Sequence, residues 1–347
     1  MARHPLGVLF GGKSNEYEVS LLSAAAVLPE LDRAGIPRLA LRMDRDGRLF
    51  LFTGDVAEVA SGAADDPTSL SPADFVRGGV FLQNGGRFFP LSGVFPAVHG
   101  GMTEDGRLQG MLDLLGIPYA GSGAEACAVT MNKALTKALL SSLGVPTAGG
   151  LALTIEGDGT DAIRRVEATL PYPVFVKPAR SGSSVGAGIA RNHAALYARI
   201  TDAKKTDRLV LFEPLIVGRE IEVAVLSGED GRPVASPPGE LFFEASFYDY
   251  ETKYGVGAKT RVPADLPASL SERLRRLALT AFGALGCRHY ARVDFFVTDG
   301  GKILLNEVNA LPGLTGKSMF PRLAAAMGIP FPVLVRRLAA FAVEGTA

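Results

Sequence analysis

Short apolar stretches that run into a glycine turn and then a helical segment constrain this chain more than any other feature. Leu6 to Phe10 is apolar, Gly11-Gly12 turns, and Val19 to Leu31 has helical spacing rich in Ala and Leu. Phe95-Pro96-Ala97-Val98 leads into His99-Gly100-Gly101, a helix over Leu108 to Leu115 and a short strand over Ile117 to Ala120. Strands alternating with helices predict a parallel α/β sheet. Ligands bind such sheets at the carboxyl ends of the strands, where His99 and the Gly11-Gly12 turn fall. Residues 45–90 are turn-rich and weakly periodic, and no element is predicted there.

Around Gly121-Ser122-Gly123 the pattern restarts. Val129 to Leu143 reads as one helix, stopped by Gly144 and Pro146. Strands are predicted at Val174 to Lys177, at Leu209 to Phe212 and from Glu220 onward, and a helix over Ser271 to Leu285. Residues 243–263 are polar and aromatic, a long loop. Two further strands flank Thr298-Asp299-Gly300-Gly301, a hairpin signal. A chain of 347 residues is too long for one ordinary core and suits two or three domains.

Net charge is zero, with 36 basic and 36 acidic residues, which argues against a nucleic-acid or anionic-membrane surface. No window of about 20 apolar residues is present to span a bilayer. Cys127 and Cys287 lie far apart and read as two buried small hydrophobes in a reducing compartment. Lys13, Glu16 and Glu18 interrupt any signal-peptide stretch. A cytoplasmic protein is the expectation.

Two tempting motifs fail on context. Gly7 to Ser14 matches G-x-x-x-x-G-K-S, but a P-loop needs its strand before the first glycine. Here Val8-Leu9-Phe10 is itself the strand. Gly182-Ser183-Ser184-Val185-Gly186 matches G-x-S-x-G, but a nucleophile elbow needs a helix directly after it. Gly186-Ala187-Gly188 instead continues the loop, and only His193 and His289 follow.

The stronger signal lies near the C-terminus. Arg292-Val293-Asp294 and Asn306-Glu307-Val308-Asn309 occupy partner strands of one hairpin. Side chains alternate along a strand, so Arg292 and Asp294 share a face, as do Glu307 and Asn309. Val293, Phe295 and Val308 point the other way, into a core. A face of oxygen ligands suits Mg²⁺, which takes a few carboxylates and completes its shell with water and phosphate. A merely solvated polar face explains the charge but not Asp, Glu and Asn together beside Arg. Lys177 precedes the loop Ser181 to Gly186, whose glycines let backbone N–H groups approach phosphate oxygens. Lys133 offers a second point charge.

Seven segments, in order, resemble the D-alanine–D-alanine ligase family of the ATP-grasp superfamily, across about residues 6 to 337. They are GGKSNEYEVSL from Gly11, HGGMTEDGRLQG from His99, MNKALTK from Met131, VKPARSGSSVG from Val176, FYDYETKY from Phe247, RVDFF from Arg292 and NEVNALPG from Asn306. The resemblance implies an ATP-grasp fold of mixed α/β and α+β class. Its parts are an N-terminal parallel α/β domain (residues 1–121), a central domain (122–212) and a C-terminal catalytic domain (213–347). It implies an ATP-dependent, ADP-forming ligase that joins two D-alanines through an acyl phosphate for peptidoglycan precursors. By matching position, Lys133, Lys177 and Ser184 bind ATP phosphates, with Glu213 and Glu220 near adenine and ribose. Asp294, Glu307 and Asn309 hold two Mg²⁺, with Mn²⁺ as a substitute. Glu16 receives the first D-alanine's ammonium group, with Ser183 and Tyr254 beside it. His99, Lys253, Ser318 and Met319 line the substrate site, Lys253 and Ser318 on the second carboxylate. Arg292 and the Gly313 N–H form the oxyanion site. Residues 243–263 form a lid, and family analogy suggests a homodimer.

The chain departs from the family pattern at a few places. Asn132 stands where Asp is usual before the lysine, Tyr17 follows Glu16 where His is common, and Gly101-Met102-Thr103 varies the loop after His99. Some of these resemble ligases that make D-alanyl-D-serine or D-alanyl-D-lactate. Tyr254 marks an amine as second substrate, and Met319 stands where resistance ligases carry Arg. D-alanine is therefore expected, then D-serine and last D-lactate, with a biosynthetic-pathway paralogue as a further alternative. A different ATP-grasp ligase and a non-catalytic nucleotide-binding protein are the competing readings. The lid and N-terminal segments argue against the first, and the intact Asp294, Glu307 and Asn309 against the second.

Overall fold

The computed structural model describes residues 4–61, 63–243 and 258–344. Three sheets follow one another along the chain. The first contains β1 (Leu6–Gly11), β2 (Arg38–Met43), β3 (Leu49–Phe52), β4 (Leu70–Val76), β5 (Gly79–Leu82), β6 (Arg87–Pro90) and β7 (Gly93–Pro96). Every residue of β1 is buried, because parallel neighbours flank it on both edges. Helix α1 (Tyr17–Arg33) makes the crossover from β1 to β2. The carboxyl ends of β1 and β7 therefore adjoin, and Glu16 and His99 follow them directly.

Only β2, β1 and β7 run parallel. Residues 45–90 add an antiparallel meander, in the order β6-β5-β4-β3, along the edge of β2. The sequence gives little sign of it because most of these strands are four residues long. Their turns fall at Gly47, Gly78 and Gly85-Gly86, all at positive φ. Turn residues thus occupy much of the segment and blur its alternation.

The helix expected over Val129 to Leu143 is two helices. α2 (Arg107–Leu114) is followed by α3 (Ala124–Met131) and α4 (Lys133–Ser142). Asn132 separates the last two in an extended conformation, its side chain accepting from the N–H groups of Ala134 and Leu135 at 3.2 and 3.3 Å. An Asn N-cap of this kind stops one helix and starts the next. Asp caps by the same geometry, so the departure at Asn132 leaves the local fold intact.

The second sheet is antiparallel, in the order β10-β9-β11-β8: β8 is Leu151–Thr154, β9 Val174–Pro178, β10 Gly188–Ala190 and β11 Leu209–Pro214. Helices α5 (Thr160–Glu167) and α6 (His193–Thr206) close its core over Val174, Val176 and Phe212. The third sheet holds β12 (Arg219–Ser227), β13 (Pro233–Ala235), β14 (Gly239–Phe243), β15 (Ala258–Arg261), β16 (Tyr290–Val297) and β17 (Ile303–Asn309). Helix α7 (Ala268–Ala284) covers it, and Leu140 of α4 joins the same core.

Helix α8 (Met319–Ala326) packs on β12, and α9 (Phe331–Glu344) packs on α8 and returns to the first sheet. Leu334, Val335, Leu338 and Ala342 share a core with Leu6, Leu9 and Phe10. At Gly93 the approach is so close that a Cβ would lie 1.9 Å from the Ala342 carbonyl oxygen. Both cysteines are buried and unpaired, as expected. Among the described residues, no single helix is long and apolar enough to cross a membrane.

Candidate active site

A cleft of about 820 Å³ is lined by residues of the second and third sheets, the start of α1 and the turn after β7. Its floor holds Glu222 and Glu307, with Asp294 buried between them. The register places Glu222 of β12 opposite Asp294 of β16, and Asp294 opposite Glu307 of β17. Like charges directly opposite one another destabilise a sheet. Cations offset them here. Arg292 donates from Nε and Nη2 to both Asp294 oxygens at 2.8 and 2.7 Å, and its Nε lies 2.9 Å from Glu222 Oε2. Lys133 Nζ stands 3.1 Å from Glu307 Oε2, and Asn309 Nδ2 donates to Asp294 at 2.9 Å. Val293, Phe295 and Val308 are buried on the other face, as the alternation predicts.

The pairing slips by one residue between Asp294 and Phe295, leaving Asn306 as the extra residue on β17. Such a bulge re-aims a side chain. Asn306 Oδ1 accepts from Lys177 Nζ at 3.1 Å, so the bulge ties the third sheet to the second.

Asp294, Glu307 and Asn309 present two carboxylates and an amide on one face, a donor set that fits Mg²⁺. Their negative charge is met by Arg292 and Lys133 as the side chains stand. No three His, Cys, Asp or Glu side chains among the described residues are grouped to hold an ion; Asp294 and Glu307 are two, and Asn309 adds an amide oxygen.

Opposite the acidic row lies the loop after β9. Ser183 and Ser184 both have φ in the left-handed region, at 51° and 56°. Two consecutive non-glycine residues there are uncommon, and such geometry clusters at functional sites. Lys133 Nζ donates to the Ser181 carbonyl at 2.7 Å, linking the loop to Glu307. Lys177 Nζ lies 2.9 Å from Glu213 Oε2, while Lys137 Nζ contacts Glu213 Oε1. Burial alone would raise the Glu213 carboxyl, yet the two lysines hold it below the usual range. Burial, then the charge of Lys177, brings the Lys137 ammonium down to about 7. Glu220 also lines the cleft.

At the other end Ser183 donates its hydroxyl to the Glu16 carboxylate. Ser14 braces Glu16 from behind: its hydroxyl accepts from the Glu16 N–H at 2.9 Å and donates to the His99 carbonyl at 2.6 Å. His99 is buried, with Nε2 2.7 Å from Ser23 Oγ and Nδ1 3.0 Å from the Leu311 carbonyl. Burial pushes its pKa down, so it is a neutral structural link. Gly313 and Ser318 adjoin, since a Cβ on Gly313 would meet Ser318 Oγ at 3.0 Å. Ser318 Oγ accepts from the Thr315 N–H at 3.2 Å, so it sits in a defined turn. Met319 touches the cleft but is itself buried in the first core. Lys253, Tyr254 and most of the expected lid lie outside the described residues.

Residues 5–122 match the family model described as D-ala D-ala ligase N-terminus, and residues 139–340 match D-ala D-ala ligase C-terminus. The chain belongs to the D-alanine–D-alanine ligase family. It is 43% identical over 343 residues to the D-alanine–D-alanine ligase of Deinococcus radiodurans, covering 97% of this chain and 98% of that one. Identity to the Chlorobaculum tepidum D-alanine–D-alanine ligase is 39% over 364 residues, covering 99% and 98%. Among solved structures, the VanG D-Ala:D-Ser ligase from Enterococcus faecalis superposes with a TM-score of 0.89 at 32% identity, covering 99% and 100%. The D-alanine–D-alanine ligase from Coxiella burnetii gives 0.85 at 32%, covering 99% and 95%. The fold is the ATP-grasp fold of this family, an ATP-dependent ligase family.

Both rejected motifs stay rejected within this ligase family member. Gly7 lies inside β1, packed against Leu41 and Leu91. The Gly182–Gly186 loop runs into strand β10, not a helix, and His193 is exposed and paired with Glu167. Sequence reading missed Lys137, Glu222, Asn306 and Glu104. Lys137 stands one helical turn after Lys133, and Glu222 alternates with Glu220, so periodicity could have found both. Tyr17, the family departure beside Glu16, is buried. It donates to Asp65 at 3.0 Å and accepts from Arg42 at 3.1 Å, a structural role.

Proposed function

We propose that the chain activates D-alanine with ATP and joins it to a second D-alanine, forming D-alanyl-D-alanine, ADP and phosphate. The observation that carries this reading is one cleft with Glu222 and Glu307 on its floor, Asp294 buried between them in the register, and Lys133, Lys177 and the left-handed serine loop facing it. The relatives named for this activity, at 39–43% identity over nearly the whole chain, support it.

Charge supplies the reasoning. A carboxylate is a poor electrophile, and attack of its oxygen on the γ-phosphorus of ATP needs neutralisation and in-line positioning more than covalent help. Lys133 and Lys177 bind the phosphates. Asp294, Glu307 and Asn309 would hold two Mg²⁺, or Mn²⁺, supplying Lewis-acid neutralisation of phosphate charge. Ser184 and the loop N–H groups cradle the phosphates, with Glu213 and Glu220 toward adenine and ribose. Ser183 orients Glu16 to receive the first ammonium group. The second amine then attacks the acyl carbon, phosphate leaves, and the amine gives up a proton. Arg292 and the Gly313 N–H stabilise the oxyanion, a contribution of about 3 kcal/mol for one well-aimed donor. Lys253 and Ser318 hold the second carboxylate, His99 and Met319 shape the pocket, and Tyr254 closes it with the lid.

We further propose the division 1–121, 122–212 and 213–347, a cytoplasmic setting and a homodimer, on family analogy. The deciding experiment is product identification by mass spectrometry with ATP and D-alanine alone, then with D-serine and D-lactate as competitors. D-alanyl-D-alanine as the main product is expected. A mixed product predominating in competition overturns the choice of second substrate.

A further inference from the structure

Glu104 ends the short turn Gly101–Thr103 and faces the same cleft as Glu16. Gly100 separates the two carboxyl groups. Its N–H donates to Glu104 Oε2 at 2.8 Å, and a Cβ on its other side would lie 2.3 Å from Glu16 Oε2. Gly182 presses on Glu16 from across the cleft, where a Cβ would lie 2.4 Å from Oε2. Two acidic side chains thus flank one residue, and Gly100 and Gly182 both approach the Glu16 oxygen that Ser183 does not use.

We propose that Glu104 is a second counter-charge for the ammonium group of the first substrate, working beside Glu16 and ionising when that group arrives. The inference rests on reading Glu16 as the ammonium site. It adds a selectivity element: two carboxylates at one end repel the substrate's own carboxylate toward Arg292, Lys133 and Lys177.

The surroundings leave Glu104 poised for this. Burial first, then the charge of Glu16, pushes its carboxyl up to about 8, against the Gly100 and Leu311 amides and Lys133. Cys127 and Tyr290, which feel its charge, are both raised by burial and stay neutral. His99 is held neutral by burial, and Lys133 is already engaged with Ser181 and Glu307. The balance at neutral pH is therefore a protonated Glu104. An incoming ammonium ion favours the charged form. Glu104–COOH becomes Glu104–COO⁻ facing R–NH₃⁺, and one proton passes to solvent.

The test is calorimetric binding of D-alanine to the full-length enzyme with a non-hydrolysable ATP analogue and Mg²⁺ at pH 7, in buffers of different ionisation enthalpy. The wild type should release close to one proton per first-site D-alanine. Glu104→Gln should release almost none and raise KM for the first D-alanine about tenfold, the loss of one hydrogen bond to a charged group, with a smaller change in kcat. Glu104→Asp should recover part of the proton release. In the wild type, kcat/KM for the first D-alanine should rise from pH 6 to 8 and level above. A wild type that releases no proton overturns the inference without any variant. So does a Glu104→Gln enzyme with unchanged KM and proton release. If the wild type forms D-alanyl-D-alanine, those results overturn this inference alone. A wild type forming no dipeptide overturns the proposed function with it.

Discussion

The hydroxyl of Ser183 donates to the carboxylate of Glu16, 167 residues earlier in the chain. This bond joins the loop after β9 of the second sheet to the start of α1 on the first. One contact therefore ties the proposed ATP side of the cleft to the proposed substrate side. Ser183→Ala removes it without adding bulk. A hydrogen bond to a charged group contributes about 1.5–3 kcal/mol, so kcat/KM for D-alanine should fall about tenfold or more. Thermal stability should change little, since the pair is only part-buried. Steady-state kinetics beside a thermal melt checks both.

Glu307→Ala removes one end of the acidic row and the partner of Lys133. D-alanine-dependent ADP release should be lost across a full Mg²⁺ titration. A coupled ADP assay reads this directly. Undiminished turnover would sink the metal assignment.

Lys137→Met deletes one of the two cations on Glu213, leaving Lys177 to meet the whole charge. Breaking a buried ion pair from one side costs about 3–5 kcal/mol, and the surviving Lys177 contact should bring the loss to the lower part of that range. Lys177 should also be drawn toward Glu213 and away from the nucleotide, raising KM for ATP. Chemical denaturation and ATP kinetics on the same preparation test the two effects together.

His289 couples stability to pH. Its Nδ1 accepts from the Gly121 N–H at 3.0 Å, and its ring stacks on Phe341 with centroids 4.6 Å apart. Burial, then Arg288, lowers its pKa from 6.5 to about 4. Between those values the unfolded chain binds a proton that the folded chain refuses. Stability is therefore retained above about pH 6.5 and declines as pH falls toward 4. His289→Asn keeps an acceptor and tolerates the left-handed backbone at φ 61°. Denaturation curves at pH 7, 6 and 5 should show a shallower decline in the variant.

Much of the site was legible because strand periodicity is simple. Alternation alone set Asp294 and Arg292 on one face and Val293 and Phe295 on the other. Cross-strand neighbours needed the register, so the row from Glu222 to Glu307 stayed hidden until β12 was seen beside β16. The bulge at Asn306 was hidden for the same reason. Local capping chemistry at Asn132 was readable in principle, but the run of Ala and Leu around it outweighed one polar residue. Residues 45–90 failed because their strands are too short for a period to emerge. Glu104 lies in the stretch after His99, but its meaning depends on Glu16 lying across Gly100, which no local pattern shows.

The return of α9 to β7 bears on how the protein is made. A ribosome delivers the first sheet early, but α9, which completes its core, is translated only after the second and third sheets. Leu6, Leu9 and Phe10 must wait through the synthesis of both for Leu334 and Leu338 to emerge. Nascent chains of this enzyme should accordingly depend on chaperone protection until α9 emerges. A premature stop just before α9 should yield protein that aggregates, although every residue of the cleft has been translated.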